Sequence, residues 1–208
     1  MNITYSKNLG DAAQKEIAVS GEREALAETF LFVVDPARSG GSLGGMPKKV
    51  DLKIYLAGRG SRAEVIFLYV GRGKDETEMN ITLAHEAPNT YGRVMIKAAL
   101  FDESRLTVRG MLDIRHEAAG SDSYLLAKAL LVSPKARAEV CPYLEIATDE
   151  VKASHGTSIG RIDERQLFYL ASRGIGDEDG KRLLLAEFFR DAVKELSEED
   201  QKKFFQIV

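Results

Sequence analysis

Short runs of alternating polar and apolar residues recur along most of the chain, and two long segments echo each other. KAALFDESRLTVRGMLDI, residues 97–114, is followed by KALLVSPKARAEVCPYLEI, residues 128–146. Three apolar pairs recur 32 positions apart: Val108 with Val140, Leu112 with Leu144, and Ile114 with Ile146. Strands that repeat in this way are expected when a chain winds into stacked rungs, each burying its inward row of side chains against the next.

The alternation has a period of two, which predicts half-buried β-strands. Residues 50–56 place Val50, Leu52, Ile54 and Leu56 on one face, whereas residues 63–71 are more continuously apolar and indicate a strand buried on both faces. Further strands begin near Met79, Arg93, Arg105, Ser123 and Tyr143. Because no helical pattern of ten or more residues separates them, a doubly wound α/β fold is disfavoured. The pattern alone leaves a β-solenoid and a sandwich of hairpins open.

The last fifty residues show a helical pattern in place of the strand alternation. Asp163 is a good helix N-cap, Gln166 completes a capping-box pattern, and Gly174 supplies a left-handed stop. A second helix is predicted over residues 178–196 and a third from Ser197 onward. Three such short helices have too little core to stand alone, so they should dock on the β part, on each other, or on another protein.

Composition narrows the class of protein. The chain has 208 residues, of which 44% are apolar and 29% charged, with a net charge of -3. This composition is typical of one globular domain and argues against a nucleic-acid partner, because dedicated nucleic-acid binders are usually basic. The N-terminal residues lack an apolar core of a signal peptide, and no uncharged run of about 18 apolar residues occurs. We therefore expect no membrane association and a cytoplasmic protein.

One glycine-rich segment, DPARSGGSLGGMPKK at residues 35–49, has almost no apolar content and is predicted to be a mobile loop. It lacks the Lys-Ser/Thr pair of a phosphate-binding loop, and no helical pattern follows it. A nucleotide site is therefore not expected here.

The residues that could carry chemistry are few. His85 and His116 each precede Glu-Ala without a second histidine at metal-site spacing, so both are interpreted as exposed turn residues. The single cysteine, Cys141, cannot form an internal disulfide and is interpreted as a small apolar filler of a strand. A Cys141–His155 pair stays open as an enzyme hypothesis, because successive rungs could bring the two together, although no oxyanion-hole motif supports hydrolysis.

One ordered series of motifs goes further than these patterns. Residues 142–175 contain Pro-x-Leu-Glu-Ile, an acidic-Val step, Ser-His-Gly, Ile-Asp-Glu, Leu-Phe-Tyr-Leu and Ser-Arg-Gly. In order and spacing this resembles the C-terminal core of the SufB/SufD family, the scaffold proteins of the SUF iron–sulfur cluster assembly system. The resemblance is clearest over residues 129–189. It implies a mainly β fold, a right-handed parallel β-helix over residues 1–160 with a small C-terminal helical domain over residues 161–208, and so favours the solenoid.

The resemblance also implies a function and partners. Family members are non-enzymatic scaffolds that pair through their β-helices and dock on an ABC-type ATPase subunit through the helical tail. Phe168, Tyr169 and Arg173 are then the candidate anchors for a SufC-like ATPase, since aromatics and arginine often dominate interface energy. Leu167 is expected to pack its helix onto the last rung. A SufB/SufD-like subunit, or a second copy of this chain, is the expected dimer partner.

The match is closer to SufD than to SufB. The positions of a SufB-type cysteine and glutamate fall on Ala127 and Gly156, whereas Ser154-His155-Gly156 agrees with SufD-like members. The resemblance makes His155 a candidate ligand of a transient iron–sulfur cluster, with a structural corner histidine as the alternative; no other cofactor is expected. The resemblance implies a short form of the family, in which the usual N-terminal helical extension is missing or cut to roughly the first twenty-five residues. A β-solenoid interaction module without a cluster role is the alternative function.

Overall fold

The computed structural model describes residues 13–22, 25–33, 48–194, 196 and 198–207. Most of the predicted loop at 35–49 lies outside the described residues, but its last residue, Lys49, begins a strand. The described residues form ten strands and then three helices. The strands are β1 Ala13–Val19, β2 Ala25–Val33, β3 Lys49–Leu56, β4 Arg62–Gly71, β5 Glu76–His85, β6 Tyr91–Leu100, β7 Arg105–Ile114, β8 Ser121–Leu131, β9 Arg137–Ile146 and β10 Val151–Arg161.

The strands alternate between two parallel sheets. An odd sheet has the order β1-β3-β5-β7-β9, and an even sheet has the order β10-β8-β6-β4-β2. Every strand pairs in parallel with the strand two places along the chain. A sandwich of hairpins would instead pair consecutive strands antiparallel. The predicted parallel β-helix is therefore confirmed.

The register explains the repeat in the sequence. All three apolar pairs that recur 32 positions apart are direct partners between β7 and β9. On β5 and β7, Met79 pairs with Val108 and Leu83 with Leu112. Met79, Leu83, Val108 and Leu112 belong to one continuous core between the two sheets, and Val140 and Leu144 pack against it. On β3 to β8 the core-facing side chains are almost fully buried. The repeat is thus the sequence signature of stacked core-facing rows.

Stacked corners carry the chain from the odd sheet to the even sheet. Gly60, Asn89 and Gly120 occupy equivalent corners and have φ values of 70°, 58° and 75°. Each donates its backbone N–H to a carbonyl of the neighbouring corner: Gly60 to Pro88, Asn89 to Ala119, and Gly120 to Glu150. Positive φ is readily adopted by glycine and tolerated by asparagine, which explains these residue types at a turn that recurs in three successive rungs.

The helices form a second apolar core on the outer face of the even sheet. They are α1 Glu164–Ser172, α2 Asp177–Val193 and α3 Glu198–Ile207. Buried residues of α2 and α3 pack on Leu68 and Val70 of β4 and Ala99 of β6; on the helices these residues are Leu185, Phe189, Ala192, Val193 and Phe204. The helices therefore cover β4 from outside, which is why residues 63–71 read as a strand buried on both faces. No described helix is long and apolar enough to span a membrane.

The predicted N-cap and C-terminal stop of α1 are confirmed. The side chain of Asp163 accepts a hydrogen bond from Arg165 N at 2.9 Å, as an N-cap should. Gly174 has φ 82°, and Ile175 N donates to Leu170 O at 3.1 Å, which closes the C-terminus of the helix. Beyond this end, α1 packs against α2, where Leu167 Cδ2 would lie 3.3 Å from a Cβ added at Gly180. Leu167 is thus a packing residue, but it packs on α2.

One histidine prediction is wrong. His116 is exposed in a turn as expected, whereas His85 is fully buried at the end of β5, in the core-facing row between Leu56 and Ile114. Its Nδ1 lies 2.7 Å from Thr90 Oγ1 and its Nε2 lies 2.9 Å from Ser123 Oγ. The corner after β5 turns the chain back over this side chain, and the pattern of one strand could not reveal that.

The hydroxyl groups around His85 assign its tautomer. Thr90 Oγ1 donates to Ala87 O at 3.2 Å, so it accepts from His85 Nδ1–H and from the hydroxyl of Ser121, 2.7 Å away. Ser121 Oγ in turn accepts from Thr90 N at 3.3 Å, and Ser123 donates to His85 Nε2. Every ring nitrogen of the neutral histidine then has a partner, as a buried polar group requires.

Burial lowers the pKa of His85 from 6.5 to about 4, with the nearby Arg93 charge adding to the effect and Asp122 opposing it. The folded state therefore binds fewer protons than the unfolded state between these values. This pKa difference contributes about 3 kcal/mol to the free energy of unfolding. The contribution is fully present above pH 6.5 and is lost as the pH falls toward 4. We expect the free energy of unfolding of the wild type, measured with urea, to fall more steeply over this range than that of His85→Gln. The two slopes should differ; identical slopes would contradict the assignment, and His116→Gln is the matched control.

Candidate cluster-ligand and partner-binding site

His155 lies on the last strand of the even sheet, at the end of the β-helix. In β10 it pairs with Leu125 of β8, which is buried in the main core. Side chains of paired residues in a parallel sheet point to the same face, so His155 belongs to the core-facing row. It is nevertheless exposed, because no described rung follows β9 and β10. We call this surface, formed by the core-facing residues of β9 and β10, the open end.

The open end is apolar around the histidine. Val140 and Leu144 of β9 are only half-buried although they pack on the core, and Ile146 and Ile159 are exposed large apolar residues. Tyr143, on the outer face of β9, is exposed as well. Sequence reasoning missed these residues as a set, although each sits in the last two runs of alternating pattern. Together they form an exposed apolar patch at one end of the solenoid.

The glycine after His155 has a steric explanation. A Cβ at Gly156 would lie 2.6 Å from Tyr124 Oη and 3.2 Å from Leu126 Cδ1, on the outer face of the even sheet. Tyr124 therefore occupies the space that a side chain at position 156 would need. A larger side chain at this position, such as glutamate, would require Tyr124 to move.

Cys141 does not join His155. It pairs with Arg109 of β7 on the outer face of the odd sheet, and its Sγ lies 3.5 Å from Glu139 Oε1. His155 faces the core side of the other sheet. The Cys141–His155 pair is therefore wrong, as is the interpretation of Cys141 as a core filler, because Val140 takes the core-facing position and Cys141 is half-buried outside.

The described residues contain no group of three or more His, Cys, Asp or Glu side chains placed to hold a metal ion. His155 has one imidazole to offer, whose neutral form is a competent ligand for iron. The residues present thus fit a single ligand position at the open end.

The candidate partner anchors lie on α1, away from the open end in sequence. Phe168 is 77% exposed and Tyr169 is 57% exposed, which is unusual for aromatic side chains of a folded domain. The guanidinium of Arg173, the C-cap of α1, lies 5.1 Å from the centroid of the Tyr169 ring. The structure thus brings Tyr169 and Arg173 together and leaves Phe168 free of the core.

A shallow groove of about 360 Å³ runs beside these anchors. It is lined by Arg165, Gln166, Tyr169, Leu170 and Leu184, and so joins α1 to α2. Leu183 of α2 is also exposed. The helical pattern predicted α2 but not this groove, because the groove depends on how α1 packs against α2.

Comparison with known proteins identifies a matching family and several relatives of this chain. The family described as SUF system FeS cluster assembly, SufBD core domain, matches residues 38–188. An iron–sulfur cluster assembly SufBD family protein of Mycobacterium leprae is 34% identical over 165 residues, which are 75% of this chain and 42% of that protein. A SufBD family protein of Mycobacterium tuberculosis is 31% identical over 163 residues, 74% of this chain and 41% of that protein.

Escherichia coli SufD, an iron–sulfur cluster assembly protein, is 26% identical over 191 residues, which are 92% of this chain and 43% of SufD. The chain thus spans less than half the length of these curated relatives. The matched region includes the strands from β3 to β10, with His155, and the exposed helix α1. The chain belongs to the SufBD family and is SufD-like.

Proposed function

We propose that this protein is a non-enzymatic scaffold or accessory subunit of SUF-type iron–sulfur cluster assembly. The observation that carries the proposal is the exposure of His155, from the SufD-like Ser-His-Gly motif, on the core-facing row at the open end of a SufBD-type solenoid. His155 lies within β10, Val151–Arg161, and not at a corner between strands. The proposal places the protein in the cytoplasm, as expected from its sequence.

The open end is proposed to pair with a SufB/SufD-like subunit or with a second copy of this chain. β9 and β10 are the last strands of their sheets, and an edge strand offers unpaired N–H and C=O groups to another chain. Exposed apolar side chains such as Ile146 and Ile159 lie beside this edge. Strand pairing and apolar burial therefore favour the same mode of association.

His155 is proposed to contribute one ligand to a transient cluster at this interface. Its place on the edge strand leaves the imidazole accessible to a group bound between two subunits. The cluster is the cargo of assembly, so further ligands would come from the partner across the open end. Release is easier for a cargo held by few ligands from each subunit.

The face of α1 is proposed to dock a SufC-like ABC-type ATPase. Phe168, Tyr169 and Arg173 offer aromatic and guanidinium groups that commonly dominate interface energy, and their exposure leaves them available. α1 is held by α2, which packs on the sheet, so force on this face would reach the solenoid. An alternative is an interaction module without a cluster role, favoured by the fact that both exposed apolar surfaces suit protein partners.

To test the docking face, we expect Phe168→Ala combined with Arg173→Ala to weaken binding to a SufC-like ATPase by roughly thirtyfold, corresponding to about 2 kcal/mol. Both residues lie outside the core, so thermal stability should not change. Binding can be measured by isothermal titration calorimetry. Phe205→Ala on α3, where the phenylalanine is 39% exposed, is the control. Retained affinity in the double variant would count against the docking face.

To test the ligand assignment, wild type and His155→Ala would be reconstituted anaerobically with iron and sulfide. We expect His155→Ala to retain less iron per chain and to lose visible absorption, because one ligand is removed. His116→Ala, which removes an exposed turn histidine, should behave as wild type. Equal iron in all three proteins, or iron in none, would exclude the ligand role and favour the alternative function.

To test self-pairing, Ile159→Lys would be compared with wild type by light scattering after size exclusion. A charge at the open end should convert a dimer to a monomer, because it cannot be buried without a partner. Leu183→Lys on α2 is a matched control, since Leu183 is 51% exposed and Ile159 is 46% exposed. A monomeric wild type, or a dimeric Ile159→Lys variant, would contradict pairing of two copies through the open end.

A further inference from the structure

A buried ammonium group lies between the sheet and the helices. Lys97 is in β6 on the outer face of the even sheet, and its side chain is 5% exposed. Its Nζ donates to Phe188 O at 2.6 Å and forms an ion pair with the carboxylate of Asp191. The Phe188 ring centroid lies 5.1 Å from the same nitrogen. Lysine is almost never buried unless it is paired, and all these partners belong to α2.

The even sheet supplies few hydrogen-bond acceptors to the side chain of Lys97. Its direct strand partners are Leu68 of β4 and Lys128 of β8, neither of which has a side chain that accepts a hydrogen bond. Leu68 and Ala99 are fully buried beneath the helices. When α2 packs on this surface, Lys97 loses water and depends on α2 for its acceptors.

The apolar surface of α2 is broad. Leu185, Phe189 and Val193 are buried on the sheet, but Leu184 and Phe188 are half-buried and Leu183 is exposed. Apolar burial has no preferred direction, so a helix that is apolar around much of its circumference can pack with more than one rotation about its axis. Lys97 is satisfied only when Phe188 and Asp191, one turn apart, both face the sheet.

The rotation of α2 also decides where α1 lies. α1 packs on α2 around Gly180, where an added Cβ would meet Leu167 at 3.3 Å and Leu170 at 3.5 Å. If α2 turned on the sheet, the contact surface at Gly180 would turn with it. Phe168 and Tyr169 would then point in another direction.

We propose that Lys97 sets the rotation of α2 on the even sheet and thereby positions α1 for its partner. The first part stands on the contacts of Lys97 alone, and the second rests on the proposed function. Replacing a buried ion pair by apolar groups is often neutral or stabilising, whereas removing one partner leaves a buried charge uncompensated. Lys97 is thus a positioning residue, and its loss should change orientation more than stability.

Thermal unfolding gives the first test. Lys97→Met removes the charge at similar length, and we expect a Tm within about 2 °C of wild type or above it. Asp191→Asn leaves the ammonium buried with a neutral partner and should lower the Tm by about 4 °C or more. Equal losses in the two variants would show a simple stabilising contact and overturn the proposal.

Amide NMR spectra give the second test and need no partner. In Lys97→Met, signals from α1 and α2 should split or shift, while signals from β3 and β5, which belong to the odd sheet, should stay in place. The same single set of α1 and α2 signals as in wild type would overturn the role in orientation.

Binding to the SufC-like ATPase tests the second part. Lys97→Met should weaken binding by about tenfold although the residues of the docking face are intact. Wild-type affinity in this variant would overturn the positioning of α1. If wild type itself does not bind, the proposed docking function fails, and the NMR spectra still decide whether Lys97 orients α2.

Discussion

Contact between successive rungs is the interaction on which the rest of the structure depends. In-register parallel pairing satisfies the backbone of each strand and at the same time stacks one core-facing residue on the next, as with Met79, Val108 and Val140. Full burial of one such side chain, as for Met79 and Val108, contributes about 1.5–3 kcal/mol. A slip of one residue would turn the whole row outward, so the apolar alternation fixes the register.

Both proposed interaction surfaces arise where this stacking ends or is covered unevenly. Leu106 and Leu112 of β7 are buried because β9 lies over them, whereas Leu144 of β9 and His155 of β10 have no described rung beyond them. On the outer face, α2 and α3 cover the even sheet and α1 lies on α2. The same forces that build the core thus leave an apolar edge and an exposed aromatic helix.

Prediction from the sequence was best where the signal is local or repeated. The Asp163 cap and the Gly174 stop involve residues within one turn of each other, and the strands repeat their pattern in every rung. The helical part was predicted, but its docking on the outer face of the even sheet was one of three open alternatives. The roles of His155, Phe168, Tyr169 and Arg173 stay predictions. The interpretations of His85 and Cys141 were wrong, and Lys97 was missed. The surroundings of each of these side chains depend on residues from distant positions in the sequence.

The sequence by itself determined the strands, the stacking repeat, the helix ends and the family, because period-two alternation, caps and motifs are properties of neighbouring residues. Only the tertiary structure decided that His85 is buried and neutral, that Cys141 and His155 face different sides, and that Lys97 is held by α2. The physical reason is that burial and pairing of a polar group depend on which rung or helix covers it. Ser123, which pairs with His85, lies 38 residues away in the sequence, and Asp191, which pairs with Lys97, lies 94 residues away.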